Sequence, residues 1–268
     1  LARSGALPRG AGMRQLTLGV DFGTSNTAAA VFDGDRPLSV RSEVMSKGHA
    51  ERIGGLVRDT VAEAGPGLGG FEALNRIGVT VGPGSFTGLR VGLAFAQGLG
   101  AALDVPVVGI STLAALAKSK AIERKEKFSG IEPPGILAAI DARRGQVYIQ
   151  AFSGDAANDP AEAMTVSDIS ERFMPPAGFS WSLVGSGAPL VLAAQNKVWP
   201  LDETAAALPS ASEWPGLIVN PTAEAMAALT VAADPADAPP TPLYLRAPDA
   251  TPPTRLPGQA RTPPPVRP

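Results

Sequence analysis

The chain of 268 residues has no cysteine and a single histidine, His49. The missing cysteines exclude disulfide bonds, thiolate metal ligands and a cysteine nucleophile. One histidine cannot supply a metal site that needs two, and it weakens any interpretation as a Ser-His-Asp hydrolase. The composition therefore argues against thiolate chemistry, two-histidine metal sites and Ser-His-Asp hydrolysis within one chain.

The chain also lacks a marked excess of positive or negative charge, because its formal net charge is only -2. A domain that binds nucleic acid by itself normally carries a marked basic excess. Aromatic residues make up 5% of the chain and hydrophobic residues 44%, so the core is built mainly from Ala, Val, Leu and Ile. If the chain serves RNA chemistry, we expect another subunit to make most of the phosphate contacts.

Long hydrophobic runs are absent as well. The longest, Val91 to Leu103, is short for a membrane span and contains glycines, which favours a buried helix. Residues 1–12 include Arg3 and Arg9 but lack the apolar core of a secretory signal, and Met13 has the position of a natural start. We expect residues 1–12 to form an extension without structure, and the protein to be cytoplasmic with no membrane contact.

The hydrophobic periodicity predicts strands alternating with helices. Predicted strands cover 16–21, 27–32, 38–43, 76–82, 107–110, 136–142, 146–152 and 181–185; predicted helices cover 45–64, 86–103, 112–120 and 220–231. Residues 153–180 read as irregular, with a candidate helix near 166–173. The order β-β-β-α-β-α, followed by a second set of similar order, predicts a duplicated α/β architecture.

The most informative segment runs from Arg76 to Leu103. A β-branched run ends at Gly82, a Gly-Pro-Gly turn follows, and the next helix carries almost no charge. Such a helix must be covered on every side, and one domain covers about half of it. Small residues spaced four apart form a smooth stripe that suits the domain's own sheet or a helix of another subunit, and we expect both: Gly88, Gly92, Ala96 and Gly100.

The predicted helix 45–64 carries a second apolar stripe, made of Ile53, Leu56, Val57, Thr60 and Val61. Gly54 and Gly55 lie inside this helix, and each costs about 1 kcal/mol against alanine. Close approach of a neighbouring backbone is one reason to retain them.

Two turns carry residues suited to phosphate chemistry. In the first, Asp21-Phe22-Gly23-Thr24-Ser25 follows a strand, so its N–H groups could face a phosphate while Asp21 holds a water or a hydrated Mg²⁺. In the second, Asp141 ends a buried strand in the same way. The alternative is that Asp21, Thr24 and Asp141 only satisfy the backbone of their own turns, and spacing alone favours it.

The segment from Gly82 to Gly88 matches neither the Walker A nor the Rossmann pattern. It either binds an anion at the helix N-terminus or simply uses glycine for positive φ and Ser85 as a helix cap. The sequence favours neither of these two interpretations over the other.

Taken together, these segments resemble the TsaB family. The likeness rests on Gly-Pro-Gly-Ser-Phe-Thr-Gly-Leu-Arg-Val-Gly, Val-Gly-Ile-Ser-Thr-Leu, Ala-Ile-Asp-Ala-Arg-Arg-Gly-Gln-Val-Tyr and Tyr-Leu-Arg, and it spans Met13 to Asp249. The resemblance implies an actin/Hsp70-like (ASKHA) fold with duplicated domains and mixed sheets flanked by helices.

The resemblance also implies the function. Members are non-catalytic subunits of the bacterial complex that forms N6-threonylcarbamoyladenosine (t6A) at A37 of tRNA, and they bind and activate the paralogous catalytic subunit TsaD. The His-x-x-x-His metal pair of TsaD is missing here, because Ile53 stands four residues after His49. The implied partners are TsaD in a heterodimer, the ATPase TsaE, and a second copy of the chain in isolation, with tRNA contacted only indirectly.

By this resemblance, the helices 45–64 and 86–103 form an intersubunit bundle. The implied interface comprises His49, Arg52, Ile53, Leu56, Val57, Thr60, Gly88, Leu89, Gly92, Leu93, Ala96 and Gly100. No catalytic residue and no metal ligand is assigned to the chain.

For cofactors, we expect none to be tightly bound, with the interface of the complex as the place for ATP or ADP with Mg²⁺. Candidate nucleotide contacts are Asp21, Gly23, Thr24, Ser25 and Asp141. The first turn is a fuller actin-like phosphate turn than we expect in TsaB chains, so nucleotide binding by this chain stays open. An independent actin-like ATPase or small-molecule kinase is therefore the alternative function, whereas a metallopeptidase is poorly supported by one histidine.

The expected domains follow the duplicated pattern. Residues 13–112 with about 217–232 form the N-terminal actin-like domain, and 113–216 form a second, smaller one. A docked C-terminal segment covers 233–250, and the proline-rich residues 251–268 are expected to be disordered.

Overall fold

The computed structural model describes residues 15–24, 26–44, 49–65, 67–127, 135–154, 156–173, 181–194 and 217–246. The predicted extension 1–12 and the predicted disordered tail 251–268 lie outside these residues, and so does Ser25.

The first sheet has the strand order β3-β2-β1-β4-β5. Its strands are β1 (Leu16–Asp21), β2 (Asn26–Asp33), β3 (Arg36–Val44), β4 (Leu74–Gly82) and β5 (Val107–Ser111). The first three are antiparallel neighbours, whereas β4 is parallel to both β1 and β5. All six residues of β1 are buried, as expected for a central strand covered on both faces.

The second sheet repeats this theme. Its strands are β6 (Gly135–Arg143), β7 (Gln146–Ser153), β8 (Ala156–Ala157), β9 (Glu162–Thr165) and β10 (Trp181–Val184). A tight hairpin joins β6 to β7, and β10 runs parallel to β6 just as β4 runs parallel to β1. The predicted duplicated α/β architecture is confirmed.

Six α-helices occur in the described parts of the chain. They are α1 (His49–Glu63), α2 (Phe86–Leu103), α3 (Thr112–Lys127), α4 (Ile169–Arg172), α5 (Ala188–Ala194) and α6 (Ala223–Ala232). By length and composition α2 could cross a membrane. It nevertheless packs against β4 and β1 and shares the largest hydrophobic cluster with them. Helix α2 therefore covers one face of the first sheet.

The two faces of the first sheet are covered by different helices. Leu18 and Val20 pack with α1 and α2 in one hydrophobic cluster. Side chains alternate along a strand, so Gly19 points the other way, towards Met226 of α6. Helix α6 fits closely there, because a β-carbon at Gly78 would overlap Thr230.

The sequence prediction misses some elements. Residues 153–180, read as irregular, contain β8 and β9, and α4 occupies only part of the candidate helix 166–173. Helix α3 extends to Lys127, well beyond the predicted end at Lys120, and α5 was not predicted. These elements are short or highly charged, so hydrophobic periodicity marks them weakly.

The segment Ala238–Arg246, here called the C-terminal strap, connects the two sheets. Gly109 of β5 donates its N–H to Ala238 O (2.9 Å), and Leu243 N donates to Val81 O (2.8 Å). At its end, Arg246 donates to Ala142 O and Gln146 Oε1 in the second sheet. The strap therefore covers the free edge of β5 and ends on the β6–β7 hairpin.

Candidate functional site

The turn before α2 packs directly on the first predicted phosphate turn. Gly82 has φ 108°, and Ser85 Oγ accepts a hydrogen bond from Gly88 N (3.3 Å), so the interpretation as a capped turn is confirmed. Ser85 N donates to Gly23 O (3.0 Å), and a β-carbon at Gly84 would overlap that same carbonyl. The two glycine turns thus lie backbone against backbone.

The small-residue stripe of α2 faces the interior of the chain. A β-carbon at Gly92 would overlap the Phe22 ring, and one at Gly88 would lie 2.5 Å from Phe22 O. Gly100 meets Val107 in the same way, and Ala96 is fully buried. The stripe packs inside its own domain, as one half of the expectation states, and contact with another subunit stays a prediction.

The apolar stripe of α1 is likewise internal. Ile53, Leu56 and Val57 belong to the largest hydrophobic cluster, and the Thr60 hydroxyl donates to Leu56 O (2.7 Å) while Thr60 O accepts from Ser39 Oγ. Residues of the predicted interface that lack an accessible surface are therefore Ile53, Leu56, Val57, Thr60, Gly88, Leu89, Gly92, Leu93, Ala96 and Gly100. Their side chains pack in the chain's own core, and their assignment to an interface stays a prediction.

Of the remaining two predicted interface residues, Arg52 is the one whose side chain the structure describes. Arg52 is exposed and pairs with Glu43, with Nε donating to Oε2 at 3.1 Å. This hydrogen bond lowers the pKa of Glu43 and raises the pKa of Arg52. The side chain of His49 lies outside the described part of the structure.

The outer sides of α1 and α2 form an uncovered surface of small residues, here called the outer helix face. Its members are Gly54, Gly55, Ala62, Thr87, Ala94, Gly98, Ala101 and Ala102. No heavy atom lies within 4 Å of a β-carbon built at Gly54, Gly55 or Gly98. The two helices pack against each other, so the exposed small residues of both belong to neighbouring elements.

Sequence reasoning missed most of this face, although a signal for it exists. Ala94, Gly98 and Ala102 are spaced four apart and form a second small-residue row on α2, parallel to the buried one. Gly54 and Gly55 stand out in the sequence as costly helix glycines, but they are not among the predicted interface residues. Both rows of α2 look alike in the sequence, and only the packing distinguishes them.

Asp21 is engaged by its own turn. Its Oδ1 accepts from Gly23 N (2.9 Å) and its Oδ2 from Thr24 Oγ1 (3.2 Å), while Thr80 also donates to the carboxylate. The side chain is only 2% exposed. Burial raises the pKa of Asp21, and the hydrogen bonds oppose this effect in part.

Asp141 in the second sheet also accepts hydrogen bonds from its own turn. Its Oδ1 accepts from Arg143 N (2.7 Å), its Oδ2 accepts from Arg143 Nη1 (3.2 Å), and its own N–H donates to Ser186 Oγ. Both aspartates therefore satisfy backbone groups of their turns, as the favoured interpretation states. The described residues contain no cluster of three or more potential metal ligands.

We predict that Asp21→Asn raises the free energy of unfolding at neutral pH. A carboxylate with a raised folded-state pKa loses stability as the pH climbs from the unfolded value of 3.8 through the folded one. A carboxamide removes this cost, keeps an acceptor for Gly23 N and can donate to Thr24. Urea unfolding at about pH 4 and about pH 7.5 measures the effect. A variant that loses more stability at the higher pH than at the lower would contradict it.

Comparison with known proteins agrees with the fold. The family model for TsaD, described as tRNA N6-adenosine threonylcarbamoyltransferase, matches residues 39–188. The chain is 31% identical over 174 residues to the tRNA threonylcarbamoyladenosine biosynthesis protein TsaB of Escherichia coli K12, covering 63% of this chain and 71% of the relative. The TsaB protein of Haemophilus influenzae is 35% identical over 137 residues, or 51% of this chain and 53% of that relative.

Solved structures give the same result. YeaZ from Pseudomonas aeruginosa superposes with a TM-score of 0.65 at 25% identity, covering 86% of this chain and all of that one. A second structure, described as an uncharacterised protein from the same organism with similarity to peptidase YeaZ, gives 0.64 at 27% identity, with 87% and 100% coverage.

The two related sheets, each with a carboxylate turn after its first strand, define an α/β protein of the duplicated actin-like class. Within that class the identity with TsaB proteins and the fit to YeaZ are decisive. The chain belongs to the TsaB family.

Proposed function

We propose that this chain is the non-catalytic subunit of the complex that forms t6A at A37 of tRNA, and that it binds and activates a TsaD-type catalytic subunit through the outer helix face. Its relatives are named for threonylcarbamoyladenosine biosynthesis. The observation that carries the proposal is the uncovered face of α1 and α2, with three glycines open to solvent.

Glycine is costly at these positions. Each of Gly54, Gly55 and Gly98 lies within a helix, where it destabilises by about 1 kcal/mol relative to alanine. At Gly92 the fold itself gives the reason, since Phe22 occupies the space. At the three open positions no atom of the described residues gives one. A backbone from another polypeptide that packs closely there accounts for the missing side chains.

The surroundings of the face suit a protein partner. Its centre on α2 is uncharged, with the half-buried Val91 and Phe95 beside the exposed Ala94. On α1, the exposed Arg58 lies one turn after Gly54 and one turn before Ala62, so a charged side chain stands within the face. Arginine is enriched in protein interfaces, and the uncharged part of the face on α2 would supply the apolar centre. A paralogue with two equivalent helices would complete a four-helix bundle, and a second copy of the chain would do the same in isolation.

A non-catalytic role is supported by the chemistry of the two turns. The carboxylates of Asp21 and Asp141 already accept hydrogen bonds from their own turns. With one histidine in the chain, the metal and the transfer chemistry are assigned to the partner. We further propose that ATP or ADP with Mg²⁺, TsaE and the tRNA meet the assembled complex rather than this chain alone.

The alternative, an independent actin-like ATPase or small-molecule kinase, is motivated by Asp21, Thr24 and Asp141. Calorimetry of the purified chain with ATP and Mg²⁺ separates the two functions. Tight binding by the isolated chain favours the alternative, and binding that needs the TsaD-type partner favours the proposal.

The proposal is tested by producing the chain in bacteria that lack their own TsaB, together with the TsaD-type protein of its own organism. We expect t6A to return to the tRNA and the two proteins to purify together. A chain that is folded and abundant but restores no t6A, and purifies without the partner, would refute the proposal.

A further inference from the structure

Two of the four large hydrophobic side chains that are exposed in the described structure lie in contact. Phe86 is 49% exposed and Tyr244 is 46% exposed, and their ring centroids are 5.4 Å apart. Phe86 is the first residue of α2, whereas Tyr244 belongs to the C-terminal strap. The pair therefore joins segments that are distant in the sequence.

Arg90 holds this pair in place. Its guanidinium lies 3.9 Å from the centroid of Phe86, and its Nε donates to the Tyr244 hydroxyl (3.0 Å). The backbone hydrogen bond from Leu243 N to Val81 O anchors the strap immediately beside Tyr244. Both rings are thus fixed before any partner arrives, which reduces the entropy lost on binding.

The pair continues the outer helix face. Phe86, Arg90 and Ala94 follow one another at intervals of four along α2, so they share one side of the helix. The strap runs along the same flank, where Gln97 Nε2 donates to Pro240 O (2.7 Å).

We infer that Phe86, Arg90 and Tyr244 form an anchor for the TsaD-type partner, so that the strap contributes directly to the interface. This inference rests on the proposed function. Rigid aromatic side chains and arginine are the residues that most often dominate interface affinity. A nucleic acid is the less favoured occupant, because the chain carries a net charge of -2 and the Arg90 guanidinium is already engaged by both rings.

The test measures the affinity of the purified chain for the purified TsaD-type partner by calorimetry. We expect Phe86→Ala and Tyr244→Ala each to weaken binding about tenfold, and Tyr244→Phe, which keeps the ring, to weaken it less. The matched control is Leu190→Ala on α5, a helix that packs on β6 of the second sheet, where the side chain is 36% exposed. Wild-type affinity in both alanine variants would overturn the inference.

A second measurement needs no substitution. Hydroxyl-radical footprinting of the wild-type chain is expected to show protection of Phe86 and Tyr244, but not of Leu190, when the partner is added. Unchanged labelling of both rings would overturn the inference. If the alanine variants bind the partner normally but the assembled complex loses affinity for tRNA, the anchor contacts RNA and the inference is wrong.

Failure of the inference is distinguishable from failure of the proposed function. A charge placed at Ala94 tests the outer helix face itself. If Ala94→Arg leaves the complex intact, the proposed interface is wrong. If it abolishes the complex while the aromatic variants bind normally, only the anchor is wrong.

Discussion

Gly92→Ala is expected to lower the free energy of unfolding by about 3 kcal/mol. The added methyl group would overlap the ring of Phe22, which is fully buried in the core, so the ring or the helix must shift. The same substitution at Gly98, on the opposite side of the same helix, is expected to raise the free energy of unfolding by about 0.5–1 kcal/mol. Gly98 faces open space, so alanine there only improves helix propensity.

Urea unfolding followed by circular dichroism measures both values, and the pair forms its own control because the chemistry of the substitution is identical. Equal effects at the two positions would contradict the assignment of the inner and outer sides of α2. A stabilised Gly92→Ala variant would do so even more directly.

Ala94→Arg is expected to weaken the complex with the TsaD-type partner by about 100-fold or more, which corresponds to about 3 kcal/mol. Ala94 is exposed, so the isolated chain accepts the larger side chain without strain. In the complex the guanidinium would be buried against a closely packed helix without a partner charge. Desolvation of the guanidinium and steric overlap then both weaken the complex.

Co-purification and calorimetry measure this loss, and thermal unfolding confirms that the variant is folded. The control is Ala156→Arg, which places the same side chain on an exposed edge of the second sheet and should leave the complex unchanged. A complex that survives Ala94→Arg at wild-type affinity would exclude the outer helix face as the interface.

Much of the fold is predictable from the sequence because the long elements are strongly patterned. The predicted bounds of β1 and α2 match the structure, and the cap at Ser85 is identified from its hydroxyl before an apolar helix. The weak cases are β8 with two residues and α5 with seven. Such short elements are formed by tertiary contacts, and their local pattern carries little information.

The candidate site shows a different limit. Gly88, Gly92, Ala96 and Gly100 indicate that something packs closely on α2, but a helical pattern cannot say whether that neighbour is inside or outside the chain. Phe22, which is distant from Gly92 in the sequence, fills the space next to it, so the close neighbour of Gly92 lies within the chain. The resemblance therefore supplies the two helices proposed as the interface, while the side of each helix that stays exposed is a property of the packed structure.

The position of α6 has a consequence for synthesis on the ribosome. This helix begins at Ala223, yet it covers the back of a sheet whose last strand ends at Ser111, and Thr230 lies over Gly78 in the centre. Nascent chains usually fold from the N-terminus as domains emerge. Here the first sheet emerges early with one apolar face uncovered, and α6 can cover that face only more than 110 residues after the last strand of the sheet, since β5 ends at Ser111 and α6 begins at Ala223. Until then the nascent chain presents a natural substrate for chaperones.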